Sequence, residues 1–170
     1  MGPGLLTVSF LRRFGARVRR TRGGYEVHIS DEERELVSQL IPQLRDLLLA
    51  TGGDPTADPT VRRLFPAAYP DDAERDTEYH ALMRDDLLAR HLEQLDILEQ
   101  SAGADRLTEE ELHAWIGAVN DLRLVLGTRL DVSEDDTGDD LDESSPDQVP
   151  LAVYHYLGHL LGELVDAASS

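Results

Sequence analysis

The chain has 170 residues and a formal net charge of −18, with 34 acidic and 16 basic residues. That length suits one domain with a sizeable core, and that charge disfavours general binding to phosphate backbones. Cysteine is absent, which excludes a disulfide framework, a thiolate zinc site, a cysteine nucleophile and a thiol redox switch within these residues.

No apolar run approaches the length that spans a bilayer, and "LLTVSFL" near the start lacks the flanks of a secretion signal, so a cytoplasmic protein without membrane contact is expected. All 16 basic residues are arginine, and six of them (Arg12, Arg13, Arg17, Arg19, Arg20 and Arg22) fall within eleven positions. Residues 131–147 hold nine acids and no base. A basic head and an acidic segment are therefore separated along the chain.

Residues 14–29 predict a β-hairpin. Phe14, Ala16 and Val18 alternate with Gly15, Arg17 and Arg19, then Tyr25, Val27 and Ile29 alternate with Glu26 and His28, and "TRGG" supplies the turn. Ser30 can cap a helix over 31–50, where Leu36, Leu40, Leu44, Leu47 and Leu48 recur at helical spacing and Pro42 should bend or weaken the middle. Residues 51–70 are a turn-rich linker followed by a Pro-rich segment whose Leu64, Phe65 and Tyr69 should pack. A helical core over 71–167 follows. One helix runs to about Gln100, a second covers 108–130 with Thr108 and Glu111 in capping-box register, and a third starts at Pro150. The expected fold is mainly α in a single domain, an antiparallel bundle of four to five helices with a small N-terminal β-hairpin. Within the core, the charge density of 131–147 predicts a solvated loop.

Arginines on apolar helix faces raise the first functional question. Counting about 100° per residue from Leu112, Arg123 falls within roughly 20° of the apolar centre, and Arg84 and His91 lie within the leucine arc of the preceding helix. A buried guanidinium needs a counter-charge, and Asp85, Asp86 and Asp121 are the candidates. Arg84, Asp85, Asp86, His91, Asn120, Asp121, Arg123 and Arg129 thus form either a structural ion network or a pocket for a carboxylate or phosphate, which arginine forks suit.

Other constellations are weaker. His155, His159 and Glu163 share a helical stripe at metal-ligand spacing, but the zinc-protease glutamate is missing and the histidines point away from Leu157, Leu161 and Leu164, so no metal is assigned. With Gly138 at the turn position of a calcium loop, Ser133 and Ser144 replace the acids required at its two ends. Asp135, Asp136, Asp139 and Asp140 are candidates for contact with a partner, and Arg17, Arg19, Arg20 and Arg22 for contact with nucleic acid. No phosphate loop, nucleophile elbow or dinucleotide fingerprint occurs, so neither an enzyme nor a cofactor is expected.

"RLFPAAYPDD", "EYHALMRDDLL", "NDLRLVLGTRLDVSEDD" and "YHYLGHLLGELVDA" resemble the signature blocks of an actinobacterial domain-of-unknown-function family. One branch of that family is the actinomycete oxidative stress regulator. The resemblance implies a cytoplasmic transcriptional or stress regulator that acts through a protein partner such as a sigma factor, and it supplies no catalytic residues. A thiol-based sensing mechanism does not transfer to a chain without cysteine, and Met1 and Met83 offer little replacement chemistry. Three expectations stand: a regulatory interaction protein, a DNA-binding regulator using the Arg-rich hairpin, and a small-anion or metal-binding helical protein.

Overall fold

The computed structural model describes residues 16–132 and 146–170. Strands β1 (Val18–Thr21) and β2 (Gly24–Val27) form the hairpin, with Val18 opposite Val27 and Arg19 opposite Glu26. Alternation places Val18, Tyr25 and Val27 in the core and Arg19 on the opposite face, while Arg20, on the same side as Val18 and Tyr25, is exposed. Helices α1 (Asp31–Thr51), α2 (Ala73–Ser101), α3 (Glu109–Arg129) and α4 (Val149–Ser169) follow, within about two residues of the expected starts. The fold is mainly helical, with a small antiparallel sheet beside the helices.

Side-chain capping explains the starts of α1, α2 and α3. Ser30 and Glu33 form a reciprocal capping box on α1, Thr108 and Glu111 do the same on α3, and the Asp72 side chain accepts from the Arg75 amide on α2. Helix α1 ends at Gly52, whose φ of 59° lies in the left-handed region. Pro42 does not interrupt α1. Its ring is exposed, so the missing amide is the main local penalty.

The hairpin expectation needs two corrections. Among the described residues strand pairing begins at Val18, past Ala16 and Arg17, and residues 1–15, with the expected start at Phe14, lie outside the described part of the chain. A third strand, β3 (Arg106–Leu107), pairs antiparallel with β2, and two residues are too few for periodicity to register. Gly24 makes room for it. At φ 138° it occupies backbone that other residues avoid, and a β-carbon there would stand 2.6 Å from the Leu107 carbonyl oxygen. Arg34 fastens the α2–β3 link by donating to the carbonyls of Ala102 (2.6 Å) and Ala104 (2.9 Å).

Helix α3 is the hub, packed against α2 on one side and α4 on the other. Its buried residues accordingly spread round the cylinder, from Leu112 and Trp115 through Ala118 and Val119 to Leu122 and Val125. Leu95 and Leu98 of α2 and Tyr156, Leu157, Leu160 and Leu164 of α4 close the core. The Trp115 indole N–H, fully buried, donates to Ser101 Oγ at 2.7 Å, so no polar atom of that ring is stranded. The Pro-rich segment packs as expected through Val61, Leu64 and Phe65, while Tyr69 is exposed.

Candidate functional site

The arginine most deeply buried among the described residues is Arg17 rather than Arg84 or Arg123. It precedes β1, where the hairpin meets the first turn of α1 and the last turns of α4, and that junction turns its side chain inward. Arg17 Nε donates to Glu33 Oε1 at 2.6 Å and an Nη to Glu163 Oε2 at 3.2 Å. The Arg17 backbone amide donates to Glu163 Oε1 at 3.1 Å. The guanidinium lies 5.5 Å from the centre of the Tyr156 ring. Burial works against its charge, but the bonds to Glu33 and Glu163 outweigh it and raise the Arg17 pKa. Burial first, and then the charge of Glu33, push the Tyr156 phenol up. Arg17 is thereby withdrawn from the nucleic-acid candidates, and Glu163 from the metal candidates, because each is committed to the other.

The remaining hairpin arginines are exposed. Arg19 pairs with Glu26 at 2.7 Å across the strands, Arg20 donates to the Ser170 carbonyl, and Arg22 sits in the turn. His155 is half-buried and His159 exposed. Among the described residues no group of three or more His, Asp or Glu side chains is placed to hold a metal ion.

The expected network on α2 and α3 divides into separate parts. Asp121, buried on α3, takes His91 as its partner, with His91 Nδ1 2.6 Å from Asp121 Oδ2. His91 Nε2 lies 3.1 Å from the Leu64 carbonyl oxygen, and the Phe65 ring meets the imidazole edge-on at 5.2 Å. Burial opposes the imidazolium, but the hydrogen bond and charge of Asp121 outweigh it and raise the His91 pKa. The Asp121 pKa is also raised, because burial costs its carboxylate more than His91 returns. The two groups together hold one proton tightly.

Arg123 is half-buried and has no carboxylate partner among the described residues; it makes long, 3.4 Å contacts with Asn120 Oδ1 and Tyr154 Oη, and its guanidinium lies 5.9 Å from the centre of the Tyr154 ring. Asp85 and Asp86 are exposed and pair with neither Arg84 nor Arg123, which corrects their assignment as counter-charges. Asp54 and Asp58 of the 51–60 linker feel the charges of Arg84 and Arg129, respectively. Arg84 and Arg123 are half-buried and Arg129 is exposed. Arg129 does border a groove between α1 and α3, lined by Leu40, Gln43, Leu44, Leu47, Leu122, Val125 and Leu126. The groove encloses about 60 Å3, roughly two water molecules, against several hundred for a typical ligand site. Asp135, Asp136, Asp139 and Asp140 lie outside the described residues.

Sequence reasoning missed Glu33, Tyr156 and the Leu64 carbonyl. Only Glu33 carried a signal, the Ser30–Glu33 capping-box spacing, and that spacing says nothing of Arg17.

A mainly helical domain with a small sheet and a buried ion cluster defines no chemistry, so its relatives matter. The chain belongs to the family described as a domain of unknown function, DUF2017, whose profile matches residues 15–168. It is similar to proteins of Mycobacterium tuberculosis and Mycobacterium bovis named oxidative stress regulator AosR, with 36% identity over 129 residues, or 64% of this chain and 57% of each relative. A Mycobacterium leprae relative is 36% identical over 110 residues, or 55% of this chain and 46% of that protein. The chain thus spans about half the length of these curated relatives. No solved structure matches it. Among the described residues, no helix is long and apolar enough to cross a membrane.

Proposed function

We propose that the protein is a non-enzymatic, cytoplasmic regulator of the stress response that acts through a protein partner, with a sigma factor or another transcription component as the first class to test. The regulatory part of this reading rests on relatives named oxidative stress regulator. The observation that favours a protein partner over DNA is the internal use of the hairpin's charge. Arg17 is buried between two glutamates and Arg19 is bound to Glu26, so half of the candidate DNA-contacting arginines are already neutralised. The surface that remains belongs to a molecule of net charge −18, which suits a basic protein surface better than a phosphate backbone. No thiol within these residues can carry a signal, since they include no cysteine.

The test is direct titration of the full chain against purified sigma factors, core RNA polymerase and promoter duplexes at ionic strength near 0.15 M. Saturable association with a transcription protein and no retention on DNA are expected. A specific DNA footprint at sub-micromolar protein concentration, with no protein association, would overturn the reading and favour the hairpin as a DNA-contacting wing.

A further inference from the structure

Two hydrogen-bond acceptors face the two ring nitrogens of His91: a carboxylate oxygen of Asp121 at Nδ1 and the Leu64 carbonyl oxygen at Nε2. A carbonyl oxygen only accepts, so Nε2 must carry a proton for that contact to be attractive. Asp121 and Nδ1 then need a second proton between them, on either atom. The arrangement is complete only when the pair carries one proton more than an aspartate with a neutral histidine. When that proton leaves, the ring can donate to one acceptor alone. The charged carboxylate at 2.6 Å is the stronger claimant, so Nδ1–H is kept and an Nε2 lone pair is left facing the Leu64 oxygen.

We propose that His91, Asp121 and the Leu64 carbonyl form a proton-operated latch that holds the 59–65 segment onto the seam between α2 and α3. With the shared proton present, Leu64 is held from α2, and Phe65, Leu64 and Val61 stay buried. Loss of the proton releases the carbonyl and loosens the segment over that apolar surface. Among the described residues, the charges acting on the ring are two. Asp121 comes from α3, and Arg90, on the ring's own helix, opposes protonation. Arg62 and Arg63 on the segment are exposed, and what the segment presents to the ring is the Leu64 carbonyl and the Phe65 ring.

The latch carries its own reporter, because trypsin cleaves after arginine and Arg62 and Arg63 adjoin Leu64. In the full chain, 15N NMR of the His91 ring should show Nε2 protonated at neutral pH and deprotonated on alkaline titration. Over the same titration, cleavage after Arg62 and Arg63, normalised to an unstructured peptide of residues 58–68, should rise roughly five- to tenfold, the effect of one lost hydrogen bond on local opening. Asp121→Asn should remove the step and keep cleavage slow, because the Asn amide donates to Nδ1 as a protonated carboxyl would and sends the ring proton to Nε2. An Nε2 without a proton at neutral pH overturns the proposal, as does normalised cleavage that stays flat while the ring titrates. A full step in Asp121→Asn does the same. Should that variant not fold, the coincidence of ring titration and cleavage in the unmodified protein decides.

Discussion

Arg17 and Arg123 both sit beside apolar helix faces, yet their surroundings give them different weights. Arg17 closes on two carboxylates, and the Glu33 side chain beneath it has no solvent exposure. Replacing Arg17 by Met should therefore cost about 3–5 kcal/mol, because it takes the guanidinium away from a buried carboxylate. Arg123→Met should cost about 1 kcal/mol, since among the described residues it removes two long hydrogen bonds and a distant ring contact at a half-buried position. Denaturant titration of the two variants checks the order, and equal losses would contradict it. His91 adds a pH dependence. Its folded pKa is raised, so its contribution to stability is complete below the unfolded value of about 6.5 and is lost as pH rises through the folded value. Asp121, also raised, acts in the same sense from a lower pH, its cost growing as pH climbs above about 4. Unfolding free energy should fall from pH 6 upward, and the fall should be shallower in Asp121→Asn by denaturant titration at each pH.

At the level of elements, α1 tolerates a proline that its packing does not require. Pro42 is exposed, and its missing amide costs the helix a hydrogen bond. Pro42→Ala should raise stability by about 1–2 kcal/mol, the helix gain less the added freedom of the unfolded chain. A denaturation midpoint unchanged by the substitution would show that the ring compensates through its own contacts. The connection after α1 is less forgiving. Gly53 has φ 84°, and a β-carbon there would stand 2.7 Å from two carbons of the Phe65 ring. Gly53→Ala should destabilise by about 2 kcal/mol through backbone strain and displacement of Phe65, read as a lowered Tm. The same displacement should disturb the His91 contact, visible as a shifted ring resonance.

For the whole molecule, charge is the main variable. Nine acids and no base across residues 131–147 repel one another, so exchanging the acids from Glu134 to Glu143 for Ser or Asn should leave folding intact or slightly improved. If the partner docks there, association should slow, and the steep salt dependence of the on-rate should flatten, while the off-rate changes little. Stopped-flow mixing with the captured partner over a salt series measures both. Unchanged association at every salt concentration would relocate docking to another surface, such as the exposed side of α4 around His159.

Local and periodic signals made the elements legible in the sequence. The 3.6-residue leucine spacing, the Thr108–Glu111 box and the strand alternation around "TRGG" specify helices and a hairpin from neighbouring residues alone, and composition alone removed thiol chemistry. Partnership among the charged groups was decided only by the tertiary structure. A helical wheel says which way Arg123 and His91 point on their helices, but not which side chain stands opposite. Glu163 meets Arg17 across 146 positions, His91 meets Asp121 across 30, and β3 finds β2 with only two residues to pair. Because a buried charge is stable only beside its counter-charge, the three-dimensional path of the chain placed the ion cluster at Arg17, and among the described residues Arg123 has none.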